Sequence, residues 1–173
     1  MPAQKTEEMA RLARKQGRLV LDAVEQMVKE HGGQMTSAGG MLIAAFGEAA
    51  QNWWDLSLLG NLQWTEASPS ENQHIEVIVM DADDRRMIPC LSVDVTVMSE
   101  TGDDLGTKRQ RMFWSPTAYH YGANWSIPGE GLYDIRVHVG LPEFPRHDKE
   151  LGRRFTQPVN VLFRGFHLRP GRE

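Results

Sequence analysis

The feature that most constrains this chain is a change of hydrophobic period near residues 58–73. Before it, Met9, Leu12, Leu19, Val20, Ala23, Val24, Met27 and Val28 recur at three- and four-residue intervals, the stripe of an amphipathic helix. His31-Gly32-Gly33 supplies its stop, because glycine accepts the left-handed conformation that ends helices. Thr36 or Ser37 then offers a cap for a second helix to about Leu58, with Leu42, Ala45, Phe46, Ala49, Trp53 and Leu56 on one side. The expectation is an α-helical hairpin over residues 1–60. Its Trp53-Trp54 pair is too large an apolar area to leave in water, and is expected to pack on the following domain or on a second copy.

After Ser68-Pro69-Ser70 the period is two. His74 to Val79, Leu91 to Val97, Met112 to Trp114, Tyr133 to Val139 and Val159 to Phe163 read as strands. Leu91, Val93, Val95 and Val97 alternate with Ser92, Asp94 and Thr96, which is one dry face and one wet face. Turn residues fall between the strands, at Thr101-Gly102-Asp103-Asp104, at Pro128 to Gly131 and at Pro142 to Pro145. Short alternating strands joined in this way predict a mainly β domain, an antiparallel sandwich, over residues 61–173.

Composition excludes several classes. A formal charge of -4 lacks the basic face that nucleic acid requires, so no nucleic-acid partner is expected. The single cysteine, Cys90, permits neither an intrachain disulfide nor a thiolate zinc cluster. Its apolar neighbours Ile88 and Leu91 suggest a buried, inert thiol. No export signal is legible in residues 1–31, which points to the cytoplasm if the chain is complete. No nucleotide-binding loop or nucleophile elbow stands out, so the chain reads as a binder rather than an enzyme.

Histidine carries the chemistry. In His74-Ile75-Glu76 an imidazole and a carboxylate two residues apart leave the same face of a strand, and together offer nitrogen and oxygen to one metal ion. His31 reads as a helix-end residue favoured by the local dipole, and His167 as part of the C-terminal tail. His138, on the outward phase of its strand beside Arg136, reads as structural.

Four motifs in order over residues 73–166 then resemble one family. They are His74-x-Glu76, His120-Tyr121-Gly122-Ala123-Asn124, Gly129-x-Gly131-x-Tyr133 through His138, and Arg146-His147-Asp148-Lys149-Glu150-x-Gly152 with Phe155 and Pro158. They are similar to motifs of the periplasmic ferrous-iron-transport protein family, which includes copper-binding accessory proteins of bacterial iron uptake. The resemblance implies an immunoglobulin-like sandwich that forms a homodimer. It also implies a bound copper or iron ion, a periplasmic or other extracytoplasmic setting, and a membrane iron permease as recipient. The family's ligand positions fall on His74, Glu76, His120 and His147. Its methionine ligand falls on Phe113, and the adjacent Met112 could substitute only if a bulge shifted the strand register. The family's acidic residue before the His-Tyr-Gly motif is replaced near Thr117 and Ala118, and the helical hairpin has no counterpart there.

Three imidazoles and one carboxylate suit copper(II), iron(II), zinc or manganese, and copper binds most tightly among such ions in vitro. Binding is expected to weaken below the ordinary histidine range near ~6.5. Tyr119, Tyr121 and Asp148 are the candidates to orient the ligand rings. The alternative is a β-sandwich interaction module that binds no metal and uses the Trp-rich hairpin as its contact surface.

Overall fold

A computed structural model describes residues 3–149 and 151–173. It opens with one long helix, α1 (Ala3–Glu30), whose second half carries the expected stripe, while Met9, Leu12 and Leu19 of that stripe are exposed. Val24 is fully buried, while Val20, Leu21, Met27 and Val28 pack partly against the core. The helix ends where expected. Gly32 takes a φ of 64°, and the Gly33 N–H donates to the Val28 carbonyl at 2.7 Å, closing the last turn.

The second helix is not there. Residues 34–56 instead form β1 (Gln34–Ala38), β2 (Met41–Glu48) and β3 (Trp53–Leu56). The run Met41 to Phe46 is apolar at every position because β2 is buried on both faces, and such a run has no period to distinguish strand from helix. The decisive local signal is Gly39-Gly40, whose φ values of 57° and 76° make the two-residue turn of a β1–β2 hairpin.

The remaining strands are β4 (Leu62–Thr65), β5 (Gln73–Asp81), β6 (Val93–Ser99), β7 (Asp104–Trp114), β8 (Tyr119–Trp125), β9 (Gly131–Val139) and β10 (Val159–Leu168). Eight strands make one antiparallel sheet in the order β1-β2-β5-β8-β7-β6-β9-β10. Strand β7 joins its halves, pairing with β6 from Asp104 to Gln110 and with β8 from Arg111 to Trp114. The outer strands β1 and β10 approach each other, and the Gln34 side-chain amide donates to the Arg164 carbonyl, so the sheet nearly closes. The expectation of a mainly β antiparallel fold is thus met, around one hydrophobic cluster, while these strands form a single near-closed sheet where an immunoglobulin-like sandwich of two sheets was expected. Strand β2 pairs with β5 inside this sheet, and α1 packs against β2.

Strands β3 and β4 form a separate two-stranded hairpin. The tryptophan pair divides between its two faces, as period two requires. Trp53 packs edge-on to Phe113 with ring centroids 5.2 Å apart, whereas Trp54 packs edge-on to Trp64 and remains 62% exposed. Cys90 also departs from expectation. It is exposed, in a turn with φ 56°, because its apolar neighbours belong to a loop and not to a strand interior.

Candidate metal centre

The centre lies where β2, β5, β8 and the end of β7 run side by side. Antiparallel pairing sets His74 opposite Asn124, Glu76 opposite Gly122, and His120 opposite Phe113. Directly paired residues leave the same face, so His74, Glu76, His120, Asn124 and Phe113 converge. Glu48 of β2, paired with His74, joins them. The three donors are almost sealed from water, at 0%, 5% and 4% exposure for His74, Glu76 and His120.

Glu76 Oε1 stands 3.5 Å from His120 Nε2 and 4.0 Å from His74 Nε2. One ligand atom from each residue fits within 4.8 Å of the others. Tetrahedral donors at bond lengths of ~2.0–2.1 Å lie about 3.3 Å apart, so side-chain shifts of up to about 1 Å would bring the trio around one ion.

The tautomer of His74 follows from the hydrogen bonds. Asn124 Oδ1 accepts from the Gln51 N–H at 3.1 Å, and the Asn124 side-chain NH2 donates to the Gln51 carbonyl at 2.8 Å. The amide orientation is therefore fixed, and the 2.8 Å contact with His74 Nδ1 requires that nitrogen to be the donor. His74 Nε2 is left as a bare acceptor pointing into the trio. Among the described residues, neither His74 Nε2 nor His120 Nε2 has a hydrogen-bond partner. Leaving two such buried ring nitrogens unmatched costs roughly 1–3 kcal/mol each, a cost that a coordinated cation would remove. The residues therefore fit a borderline transition-metal ion.

Electrostatics agree. Burial lowers the pKa of His74, and burial with the neighbouring His74 lowers that of His120 to about 4. Burial and the nearby Glu48 carboxylate push Glu76 up to about 8, against the Gln51 hydrogen bond. At neutral pH without a cation, both imidazoles are neutral and the carboxyl holds a proton. An arriving ion finds the imidazoles ready and has only the Glu76 proton to displace.

The surroundings hold this geometry. Phe113 stacks on His120 at 12° and 5.6 Å, and meets His74 edge-on at 5.6 Å. A Cβ on Gly122 would lie 2.4 Å from His74 Nε2, so only glycine leaves room for the ring. Gln51 links the centre outward, with its Nε2 3.4 Å from Glu76 Oε1 and donating to Glu48 Oε2 at 2.7 Å.

Other expected participants lie elsewhere. His147 is exposed and lines a cavity with Asp81, Asp83 and Arg146. Asp81 is five residues beyond Glu76, about 17 Å along β5, so His147 of the same chain stays away from the trio. Asp148, exposed, lines that same cavity and does not orient the trio. Met112 pairs with Tyr121 in unbroken register and is 44% exposed on the opposite face, so no bulge brings its sulfur in. Phe113, the position to which the resemblance assigned a methionine ligand, stacks its ring on His120. Tyr119 and Tyr121, adjacent to His120 in a strand, face away from it. Tyr121 takes the Leu91 N–H and donates to the Ile88 carbonyl, while Tyr119 is exposed opposite Trp114. Asn124 and Gln51 do the orienting instead. Asn124 was findable, because it continues the period-two phase of His120 and Gly122. Gln51 sits in a loop and gave no signal. His138 bonds Asn160 at 2.9 Å, as a structural residue would.

Fold and trio together define a near-closed antiparallel β protein with a buried two-histidine, one-glutamate constellation. The same fold occurs in FetP of uropathogenic Escherichia coli strain F11, as isolated after expression in the periplasm of E. coli. That likeness has 22% identity and a TM-score of 0.64, and covers 80% of this chain and 94% of that one. It also occurs in P19 of Campylobacter jejuni. A copper-bound P19 variant is 19% identical with a TM-score of 0.66, covering 82% of this chain and 97% of that one. Copper-reconstituted P19 is 20% identical with a TM-score of 0.63, over 82% and 96%. These neighbours fit the resemblance carried by the motifs. No family model matches the chain, and no curated protein does.

Proposed function

We propose that this chain is a transition-metal-binding protein that holds copper or iron through His74, Glu76 and His120, in the service of iron uptake or metal handling. One observation carries the reading: two buried imidazole nitrogens without hydrogen-bond partners face one buried carboxylate. Copper-bound P19 with the same fold supports copper as the ion to test first. Binding without turnover is the role we assign, since the trio is buried and walled by Phe113 and Asn124, with little space for a substrate beside the ion. An extracytoplasmic setting and a membrane permease as recipient belong to the same reading, and the periplasmic expression of FetP favours the setting.

A homodimer is part of the proposal. Trp54, Leu56, Leu62 and Trp64 share one exposed face of the β3–β4 hairpin, and Leu58 and Leu59 are exposed at its tip. An apolar patch of that extent, roughly several hundred Å2, is what association would cover. The same patch favours the second reading, an interaction module without metal.

Metal analysis after purification without a histidine tag separates the two, the first requiring stoichiometric copper, iron or zinc. Copper(II) titration of the wild type and of His120→Ala, followed by electron paramagnetic resonance, tests the ligand set. Nitrogen hyperfine structure that persists unchanged in His120→Ala removes His120 from the centre. A monomeric mass by light scattering at micromolar protein contradicts the dimer.

A further inference from the structure

An ion bound by this trio must first reach it, and three walls are closed. Phe113 lies flat on His120 with Trp53 edge-on behind it, Asn124 occupies the far nitrogen of His74, and the Gly122 backbone lies under the His74 ring. The polar way out runs through Gln51. From Glu76 Oε1 it passes to Gln51 Nε2 at 3.4 Å, then to Glu48 Oε2 at 2.7 Å. The other oxygen of Glu48 meets His31 Nε2 at 3.0 Å. Here the side chains become accessible, at 34% for His31 and 27% for Glu48. Both line a cavity of about 450 Å3, together with Lys29, Glu30, His167 and Arg169. Its charges balance, Lys29 and Arg169 against Glu30 and Glu48, and Arg169 is engaged by Glu130 at 3.3 Å.

We propose that His31 and Glu48 form an entry and exit port, a transient metal-docking pair that passes a divalent transition-metal ion to and from the buried trio through movement of Gln51. The inference rests on the metal-centre reading and adds a site to it. A hydrated ion cannot shed its water all at once without losing several kcal/mol of hydration, so stepwise exchange of waters for protein donors is the low-barrier route. His31 and Glu48 offer one nitrogen and one oxygen, the donor types of the trio itself. Placement suits the role. Glu48 pairs directly with His74 across β2 and β5 and leaves the same sheet face, while His31, at the C-terminal end of α1, is held over the strand by stacking on Phe46 at 5.7 Å. The ion enters between His31 Nε2 and Glu48 Oε1. Gln51 then swings from its bridge between the two glutamates, and the ion moves to Glu76 and the two inner imidazoles.

A port lowers the barrier in both directions and leaves the end states alone, so uptake and release must change together. The test is stopped-flow tryptophan fluorescence of the full chain mixed with copper(II), with release followed by a chelator chase. His31→Phe keeps a ring on Phe46 and removes the nitrogen. In His31→Phe, uptake and release should each slow about tenfold while Kd stays within about twofold of the wild type. Glu48→Gln preserves a partner for Gln51 and should slow both steps as well. Its Kd is free to shift, because Glu48 raises the proton affinity of Glu76. Wild-type rates in both variants overturn the port while the metal centre stands. A raised Kd with unchanged uptake in His31→Phe also overturns it, since that is how an ordinary ligand or structural contact behaves. Wild-type protein that takes up no copper refutes the metal centre, and the port with it.

Discussion

The affinity of the centre should be governed by one proton, that of Glu76, and not by histidine titration. Burial and Glu48 place the Glu76 carboxyl at about 8, while His120 is held down to about 4 and His74 is lowered as well. From neutral pH up to ~8 these downward shifts keep both imidazoles neutral, and each bound ion must displace one proton from Glu76. The logarithm of the apparent association constant should then rise by about one per pH unit and level off near pH 8. At pH 6, two units below, the apparent affinity should be about 100-fold weaker than on the plateau. Had the histidines controlled binding, as their ordinary values suggest, two protons would leave and the break would come near ~6.5. Copper(II) competition against a chelator of known pH dependence reads the slope, and calorimetry in buffers of different ionisation enthalpy counts the protons. Glu76→Gln should bind more weakly on the plateau and lose the slope. Absence of proton release at pH 6–7 in the wild type would refute the reasoning, because Glu76 would then already be ionised in the folded protein.

The same shift links to stability with a definite sign. A carboxyl raised from 4.5 to about 8 makes the folded protein hold its proton more tightly than the unfolded chain, so metal-free stability falls as pH rises across that window. At roughly 1.4 kcal/mol per unit the full effect is a few kcal/mol, and metal-free Glu76→Gln should melt above the wild type at pH 8 but not at pH 4, by thermal denaturation. Gly122→Ala drives a methyl toward His74 Nε2 and should abolish copper uptake, with a lowered melting temperature measured alongside. Asn124→Leu removes the acceptor that fixes the His74 tautomer and both hydrogen bonds to Gln51. Affinity should fall about 10- to 100-fold by competition titration, and an unchanged value would mean that the amide orients nothing. Phe113→Met places a thioether opposite His120 and should raise copper(I) affinity, measured against a copper(I) chelator, more than copper(II) affinity.

The parts of this fold that were readable from the sequence are those where one face is wet. Strand β6 alternates Val93, Val95 and Val97 with Asp94 and Thr96 because solvent lies on one side, and helix α1 shows its stripe for the same reason. Strand β2 failed the same test because α1 and the sheet interior cover both its faces, which erases the period and leaves length and turn chemistry as the only guides. Gly39-Gly40 was that guide, since two consecutive glycines between extended runs favour a two-residue hairpin turn over a capped helix.

The centre divides along a similar physical line. His74 and Glu76 needed only the two-residue repeat of a strand to share a face, so sequence alone could pair them. Bringing His120 to them depends on β8 lying beside β5 in one register, with Gly122 opposite Glu76, a long-range pairing that no local pattern encodes. The motif around His120 supplied that partner by resemblance, but its use also misassigned Tyr119 and Tyr121, which strand geometry alone would have excluded. His147 marks the limit of the carry-over. A motif can preserve residue order while the chain places one member of the set at the far end of β5, and Phe113, the position to which the resemblance assigned a thioether, sets a ring against His120. An ion held by this trio would keep any further ligand on the Gln51 side of the pocket, so affinity and metal choice can be tuned there.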